Sequence, residues 1–135
     1  MNQSLAHFVT LLRKDFIDYC NQRLLEVGIS QGLLYFVRYV GKHPDCSPKE
    51  LAQALHMDIG HTTRSLSKLK QEGLIIQTVN PCDRRAHTLR LTTTGESVYG
   101  LSHQLFTQWE EEMLAALSEE ERIQLMALLQ KLIDA

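Results

Sequence analysis

The sequence of 135 residues lacks the features that mark secreted and membrane proteins. Its three cysteines, Cys20, Cys46 and Cys82, are an odd number without paired spacing, which argues against a disulfide framework and for a reducing compartment. No apolar run approaches the roughly 20 residues that a membrane span requires. The first residues also lack the basic segment and long apolar core of a signal peptide. These absences predict a cytoplasmic protein that has no membrane partner.

An excess of charge of one sign is also missing, because the formal net charge is only −2. The charges are nevertheless unevenly distributed along the chain. Residues 45–92 contain seven basic and five acidic side chains, whereas residues 93–135 contain two basic and eight acidic ones. A mildly basic middle and an acidic end predict one face that meets a polyanion such as DNA and another that is turned away from it.

Six helical patterns account for most of the chain. Apolar residues recur at helical spacing in residues 4–27, 30–42, 47–55, 59–72, 93–117 and 118–133. Capping boxes are predicted at Ser47, Thr93 and Ser118, each followed three residues later by a glutamate, and Asp58 is predicted to cap the fourth helix. The sequence therefore predicts a mainly α protein.

A predicted β-hairpin is the most informative part of the sequence. Residues 74–79 and 87–91 have the composition and alternation of two short strands. The seven residues between them, 80–86, carry turn chemistry and include the adjacent arginines Arg84 and Arg85. A hairpin that presents paired guanidinium groups directly behind a helix-turn-helix is predicted to be a wing, which places cations against DNA phosphates or in the minor groove.

Residues 47–55 and 59–72 form the helix-turn-helix pattern, whose second helix is expected to enter the major groove. The positions of that helix expected to face inward are Ile59, Thr62 or Thr63, Leu66 and Leu69. The candidate DNA contacts of the helix pair and the wing are Ser47, Lys49, Gly60, His61, Thr62, Thr63, Arg64, Ser67, Lys68, Asp83, Arg84 and Arg85. Arg64 can donate two hydrogen bonds to guanine, and Asp83 can orient a neighbouring arginine. The alternative for the helix positions is the solvated face of an amphipathic helix.

These motifs resemble the signature of the MarR-type winged-helix transcription regulators. The resemblance is carried by Gly73-Leu74-Ile75, Asp83-Arg84-Arg85, Leu89-Arg90-Leu91-Thr92 and Gly95, and the order of elements extends it over the whole chain. It implies a single MarR-like domain over residues 1–135, with residues 30–92 as the winged helix-turn-helix and residues 1–29 and 93–135 as dimerisation helices. It further implies a wing arginine at Arg85 or Arg84, oriented by Asp83, and two such units on a pseudo-palindromic duplex.

The homodimer is also predicted from the residues themselves. The terminal helices carry more apolar surface on one face than a small winged-helix core can cover, and apolar patches of that size mark interfaces. Two-fold symmetry then predicts DNA half-sites about one helical turn apart, roughly 10 base pairs.

Ligand, redox and metal sites are less strongly indicated. The resemblance implies a small aromatic or phenolic effector, and the candidate pocket residues are His7, Phe8, Leu12, Phe16, Tyr35, Tyr39, Tyr99 and His103, which could equally be core and interface residues. Cys82, next to the wing arginines, is a candidate redox-sensing thiol, and the sequence leaves open whether Cys20 senses oxidants instead. The histidines are scattered, so no metal site and no cofactor are predicted.

These observations together predict a sequence-specific DNA-binding regulator, a homodimeric repressor that a ligand releases from its operator. No catalytic motif is found, so the protein is not expected to be an enzyme. Two alternatives remain open at this point. One is a winged helix that serves as a protein–protein module without binding DNA, and the other is a regulator whose switch is a thiol.

Overall fold

The fold is given by a computed structural model that describes residues 4–80 and 82–135, apart from the side chains of Asn80, Arg84 and Arg85. Its elements are α1 Leu5–Leu24, α2 Gln31–Lys42, α3 Pro48–Ala54, α4 Ile59–Gln71, β1 Ile75–Asn80, β2 Asp83–Leu91, α5 Thr93–Met113 and α6 Glu119–Ile133. The two strands form one antiparallel hairpin. The predicted mainly α winged helix-turn-helix is confirmed, and the term winged head is used below for α2 to β2.

The helices begin where short polar side chains satisfy their unpaired backbone N–H groups. Ser47 and Asp58 accept from the N–H groups of Glu50 and His61, at 3.0 Å and 2.7 Å, and thereby start α3 and α4. Ser118 and Glu121 form the complete predicted capping box of α6. The prediction for α5 is wrong by one residue: the cap is Thr92, whose hydroxyl oxygen accepts from the N–H of Gly95 at 3.0 Å.

The hairpin is longer than the sequence predicts. The strand β2 begins at Asp83 instead of residue 87, and Asn80 pairs with Asp83 across a register irregularity. The predicted seven-residue connection is therefore wrong. Strand pairing is made by backbone groups, so it continues past the point where apolar and polar side chains stop alternating, near the exposed end of the hairpin.

The core of the winged head is built around α2. This helix contacts α1, α3, α4 and β2, and its side chains Leu34, Phe36 and Val37 are fully buried. Leu51 of α3 and Leu69 of α4 are also fully buried, so both helices of the helix-turn-helix pack on the same core. The recognition helix and the hairpin are thus held by one set of apolar contacts.

The chain forms two compact units, one ending at His103 and the other beginning at Gln104, so the division falls inside α5. In the second unit, the Arg122 guanidinium donates to the carbonyl of Leu114 at 3.1 Å, which ties α6 to the preceding turn. The helix α6, which is described throughout, contains no buried residue. Among the described helices, none combines the length and the apolar character needed to cross a membrane.

Candidate nucleic-acid interface

The recognition helix α4 presents one polar face to solvent. Five of its predicted DNA contacts are exposed side chains with hydrogen-bonding groups, namely His61, Thr63, Arg64, Ser67 and Lys68. Gly60, another predicted contact, is partly buried near the start of the helix. The opposite face is formed by Ser65, Leu66 and Leu69, which are buried. The helix therefore offers donors and acceptors in its first two turns, where a helix in the major groove meets base edges.

Two assignments on α4 need correction. Thr62 was a candidate DNA contact, but it is fully buried and its hydroxyl donates to the carbonyl of Asp58 at 2.9 Å. Thr62 is therefore the inward member of the threonine pair. Ile59 was expected in the core, yet 59% of it is exposed. It occupies the first position of the helix, before the turn whose side chains pack inward, so the apolar period does not carry it into the core.

At the start of α4, the side chains of Asp58 and Arg64 both approach the position of Gly60. A Cβ atom on Gly60 would lie 3.3 Å from Asp58 Oδ1 and 3.5 Å from Arg64 Nη1, so the glycine leaves room for both groups. The hydrogen bond from the His61 N–H, together with the positive charge of Arg64, holds the pKa of Asp58 below its ordinary value. Asp58 is thus an anion at neutral pH, and it attracts the guanidinium group that was predicted to read guanine.

The other helix-turn-helix contacts differ in how available they are. Lys49 is exposed near the start of α3, whereas the hydroxyl of Ser47 is already used as the helix cap. Lys68 is exposed but lies 3.1 Å from Glu72 in an ion pair one turn along. Exposed ion pairs of this kind contribute little, so Lys68 can still exchange its partner for a phosphate.

The hairpin is also bonded to the segment that precedes α3, a contact that the sequence did not predict. The backbone of Cys46 pairs with Leu89 of β2, which adds one bridge to the hairpin. Beside it, the Arg90 guanidinium donates two hydrogen bonds, each 2.6 Å long, to the two carboxylate oxygens of Asp45. These bonds lower the pKa of Asp45 and raise that of Arg90. The two residues are 45 positions apart, so no local pattern could have paired them.

The wing residues predicted to touch DNA are only partly described. Asp83 is exposed at the start of β2. The side chains of Arg84 and Arg85 lie outside the described part of the structure. The orientation of an arginine by Asp83 therefore stays a prediction.

Comparisons with known proteins decide the family. An HTH-type transcriptional regulator, BilQ of Clostridium symbiosum (strain WAL-14163), is 46% identical over 132 residues, which cover 98% of this chain and 92% of that protein. The sequence profile of the MarR family matches residues 23–86. The chain belongs to the MarR family. It is thus a transcription regulator and not an enzyme, as the sequence motifs had indicated.

Two solved protein–DNA complexes contain chains whose fold is similar to that of this MarR-family chain. A mutant MarR from E. coli complexed with operator DNA aligns with a TM-score of 0.84 and 26% identity, over 95% of this chain and 92% of that one. The S. aureus MepR–DNA complex aligns with a TM-score of 0.87 and 21% identity, over 98% of both chains. The second likeness shows the fold alone.

Several of the candidate effector residues of the MarR-family chain contact one another through their rings. Tyr99 and His103 form an edge-on ring contact at 4.7 Å, and His7 and Phe8 form another at 6.0 Å. The remaining candidates are partly buried (Phe16, Tyr35 and Tyr39) or exposed (Leu12). The Tyr35 hydroxyl accepts from the Gln31 amide at 2.9 Å, and Tyr39 stacks near His43 at 4.4 Å.

A residue absent from the predicted set stands beside these candidates. The half-buried guanidinium of Arg38 donates to the Ser102 hydroxyl at 3.2 Å and lies 3.5 Å from His103 Nδ1. Its signal in the sequence is weak, because one arginine on an otherwise apolar helix is most often a surface charge. Among the described residues, no cluster of three potential metal ligands is found.

The three cysteines have different environments. Cys20 and Cys46 are buried, and burial raises the pKa of each thiol to about 11. At neutral pH they are protonated and poorly nucleophilic, which argues against oxidant sensing by Cys20. Cys82 is exposed next to β2, as the sequence predicts.

Proposed function

We propose that this MarR-family regulator is a homodimeric repressor that binds a pseudo-palindromic operator and leaves it when a small aromatic or phenolic effector binds. The observation that carries the proposal is the polar face of α4. The start of α4 is capped, and His61, Thr63 and Arg64 are exposed on it. The helix and the hairpin pack on the same core of the head. That combination suits one helix in the major groove with cations on the flanking backbone.

Support for the dimer comes from the terminal helices. In α1 the side chains Leu5 and Val9 are 63% and 52% exposed, and in α6 Ile133 is 74% exposed. Exposed apolar residues in such numbers indicate an interface. A two-fold dimer would place two recognition helices on one duplex, with half-sites roughly 10 base pairs apart. The MarR neighbour at 26% identity was solved with operator DNA, which supports the same partner here.

The effector part of the proposal rests on Arg38 and its surroundings. A half-buried guanidinium next to the aromatic pair Tyr99 and His103, with Tyr35 nearby on the same helix, suits an aromatic anion. Small phenolic and aromatic carboxylates should therefore release operator DNA. The Arg38→Gln variant should keep operator affinity and lose that response, as measured by fluorescence anisotropy of labelled operator. An undiminished response would remove Arg38 from the effector site.

The DNA-binding test uses salt and the wing arginines. Operator affinity should fall steeply between low and moderate salt, because binding to phosphates releases counterions. Because the dimer has two wings, replacing Arg84→Ala together with Arg85→Ala removes four cations; it should lower affinity for all duplexes by about tenfold or more and reduce the salt slope by up to about four. Arg13→Ala with Lys14→Ala, which removes two charges from α1, is the matched control. Unchanged affinity of the wing variant, or affinity independent of salt, would favour a protein–protein module.

Base reading is tested separately at Arg64. Arg64→Ala should weaken operator binding by roughly tenfold to a hundredfold per half-site, the range of one good bidentate base contact, while binding to random duplex changes far less. Lys70→Ala, which removes a charge that is bonded to Gln77 at 2.9 Å, is the control on the same helix. Equal losses on operator and random DNA would show that Arg64 contacts only the backbone.

A further inference from the structure

Ile59 is out of place on the polar face of the recognition helix. The helix α4 is described throughout, and Ile59 is its one exposed large apolar residue, at 59% exposure. Its neighbours Gly60, His61 and Arg64 are small or polar. Isolated apolar residues on a protein surface are common. This one stands at the first position of the helix, where contacts to bases are made.

Thr63 adds a second apolar group one turn further along. Its hydroxyl donates to the carbonyl of Ile59 at 2.8 Å, so the hydroxyl hydrogen is used within the helix. The groups that Thr63 can still offer a partner are an oxygen lone pair and a methyl group. Residues four apart share one face of a helix, so Ile59 and the Thr63 methyl lie on the same side.

The major groove of DNA has one apolar group that such a surface can recognise. Adenine, guanine and cytosine offer hydrogen-bonding nitrogen and oxygen atoms and small C–H edges there, whereas thymine alone also presents a methyl group, at its carbon 5. Gly60 has no side chain to hold the backbone of α4 away from the bases. Contact between this isoleucine and a methyl group removes apolar surface from water and lowers the free energy of the complex. Contact with a polar base edge instead raises it, because that edge loses its hydrogen bonds to water.

We propose that Ile59, together with the methyl group of Thr63, determines operator specificity by contacting the 5-methyl group of a thymine in each half-site. The inference rests on the proposed function, since it requires α4 to lie in the major groove. Ile59 also lines an open cleft of about 450 Å³ between α3, the start of α4 and β2. If the side chain folded into that cleft on binding, it would make no contact to thymine, and the test distinguishes these cases.

The experiment replaces thymine by deoxyuridine, which lacks only the methyl group. A duplex selected by the protein from a random library is the probe, and each thymine is exchanged in turn in both half-sites. At one position the affinity of the wild-type protein should fall by about fourfold per half-site, the effect of one buried methyl group. With Ile59→Ala that difference should disappear, and with Ile59→Val part of it should remain.

Ile76→Ala is the matched control, because Ile76 is a similarly exposed isoleucine, at 52%, on β1 of the wing. It should keep the full thymine–uracil difference. Circular dichroism checks that Ile59→Ala is folded, which is expected because the residue is exposed. If no exchange weakens the wild type, or if Ile59→Ala retains the difference, the inference is overturned while operator binding stands. If no duplex is selected at all, the proposed function fails, and the inference fails with it.

Discussion

The winged head and the terminal helices contain similar amounts of apolar side chain but expose them very differently. In the head, Phe36, Leu51 and Leu69 are fully buried within one chain. In α1 and α6 most large apolar residues are exposed, from 40% at Leu129 to 74% at Ile133, although the end of α1 is buried at Cys20 and Leu24. The head therefore has a complete core of its own, whereas the terminal helices have apolar surface that a single chain leaves in water, at a free-energy cost that a second copy would remove.

Charge separates most of the head from the C-terminal helices α5 and α6. The stretch from residue 45 to 92 carries a positive balance, and residues 93–135 carry a negative one, with glutamates grouped at 110–112 and 119–121. Such a distribution attracts a duplex to the head and repels it from the C-terminal helices. Both contrasts are those expected if the head binds DNA and the terminal helices bind a second chain, as proposed above.

The largest expected effect concerns the buried core of the head. Phe36→Ala should lower the free energy of unfolding by about 3–5 kcal/mol, because it leaves a cavity under α4. Its ring also lies 6.1 Å from that of His61, so operator binding should fall as well. Phe8→Ala, at a site that is 46% exposed, is the control. Urea titrations at several protein concentrations check the comparison.

The two phenylalanine variants should respond differently to concentration. The loss in Phe36→Ala should be the same at every protein concentration, because it arises within one chain. The loss in Phe8→Ala should vanish at high dilution, where dimers dissociate. Identical behaviour of the two variants would show that α1 belongs to the core of the head and would weaken the contrast drawn above.

The next effect concerns α6 alone. Replacing Met126→Ser together with Ile133→Ser, two residues 55% and 74% exposed, should raise the dissociation constant of the dimer by at least about a hundredfold, because apolar contacts are lost from both subunits. Gln124→Ser with Lys131→Ser changes the opposite side of the helix and is the matched control. Sedimentation equilibrium measures both, and an unchanged constant would exclude α6 from the interface.

Local signals explain why most of the fold could be predicted from the sequence. The caps at Ser47, Asp58 and Ser118 act within one helical turn, so a window of four residues suffices to recognise each. The inward choice between Thr62 and Thr63 could not be made, since both stood at the edge of the apolar face. The pairing of Asp45 with Arg90 left no trace in the sequence, because it depends on how the finished hairpin meets the segment before α3.

Two buried cysteines test whether the end of α1 shares the core of the head. Cys20 lies near the end of α1 and Cys46 in the head, and burial raises the pKa of both to about 11. Near neutral pH both should be alkylated slowly, at rates within about tenfold of each other, because opening of one core exposes both. Exposed Cys82 should react first. Mass spectrometry of iodoacetamide-treated protein follows each site, and rapid labelling of Cys20 would place all of α1 outside the core.

The smallest expected effect tests whether DNA affinity depends on the position of the wing or on the charge of the head. Asp45→Asn removes the partner of Arg90 and also makes the head more positive. If charge alone mattered, DNA affinity would rise; because the pair fastens the wing, we expect operator affinity to fall by about fivefold, a modest fraction of one contact. The lowered pKa of Asp45 means that the pair is intact at neutral pH and is lost only as the pH falls below the ordinary carboxylate range.

The control for Asp45→Asn is Asp18→Asn, which removes another exposed carboxylate from its partner Lys14 in α1. It changes the net charge by the same amount but leaves the wing untouched, so its effect on operator affinity should be small. Both variants should unfold at nearly the wild-type temperature, because exposed ion pairs contribute little to stability. Anisotropy titrations at one fixed salt concentration compare them. A rise in affinity for Asp45→Asn would mean that Arg90 contributes more to DNA binding when it is not bonded to Asp45. The positive charge of the head would then matter more for affinity than the position of the wing.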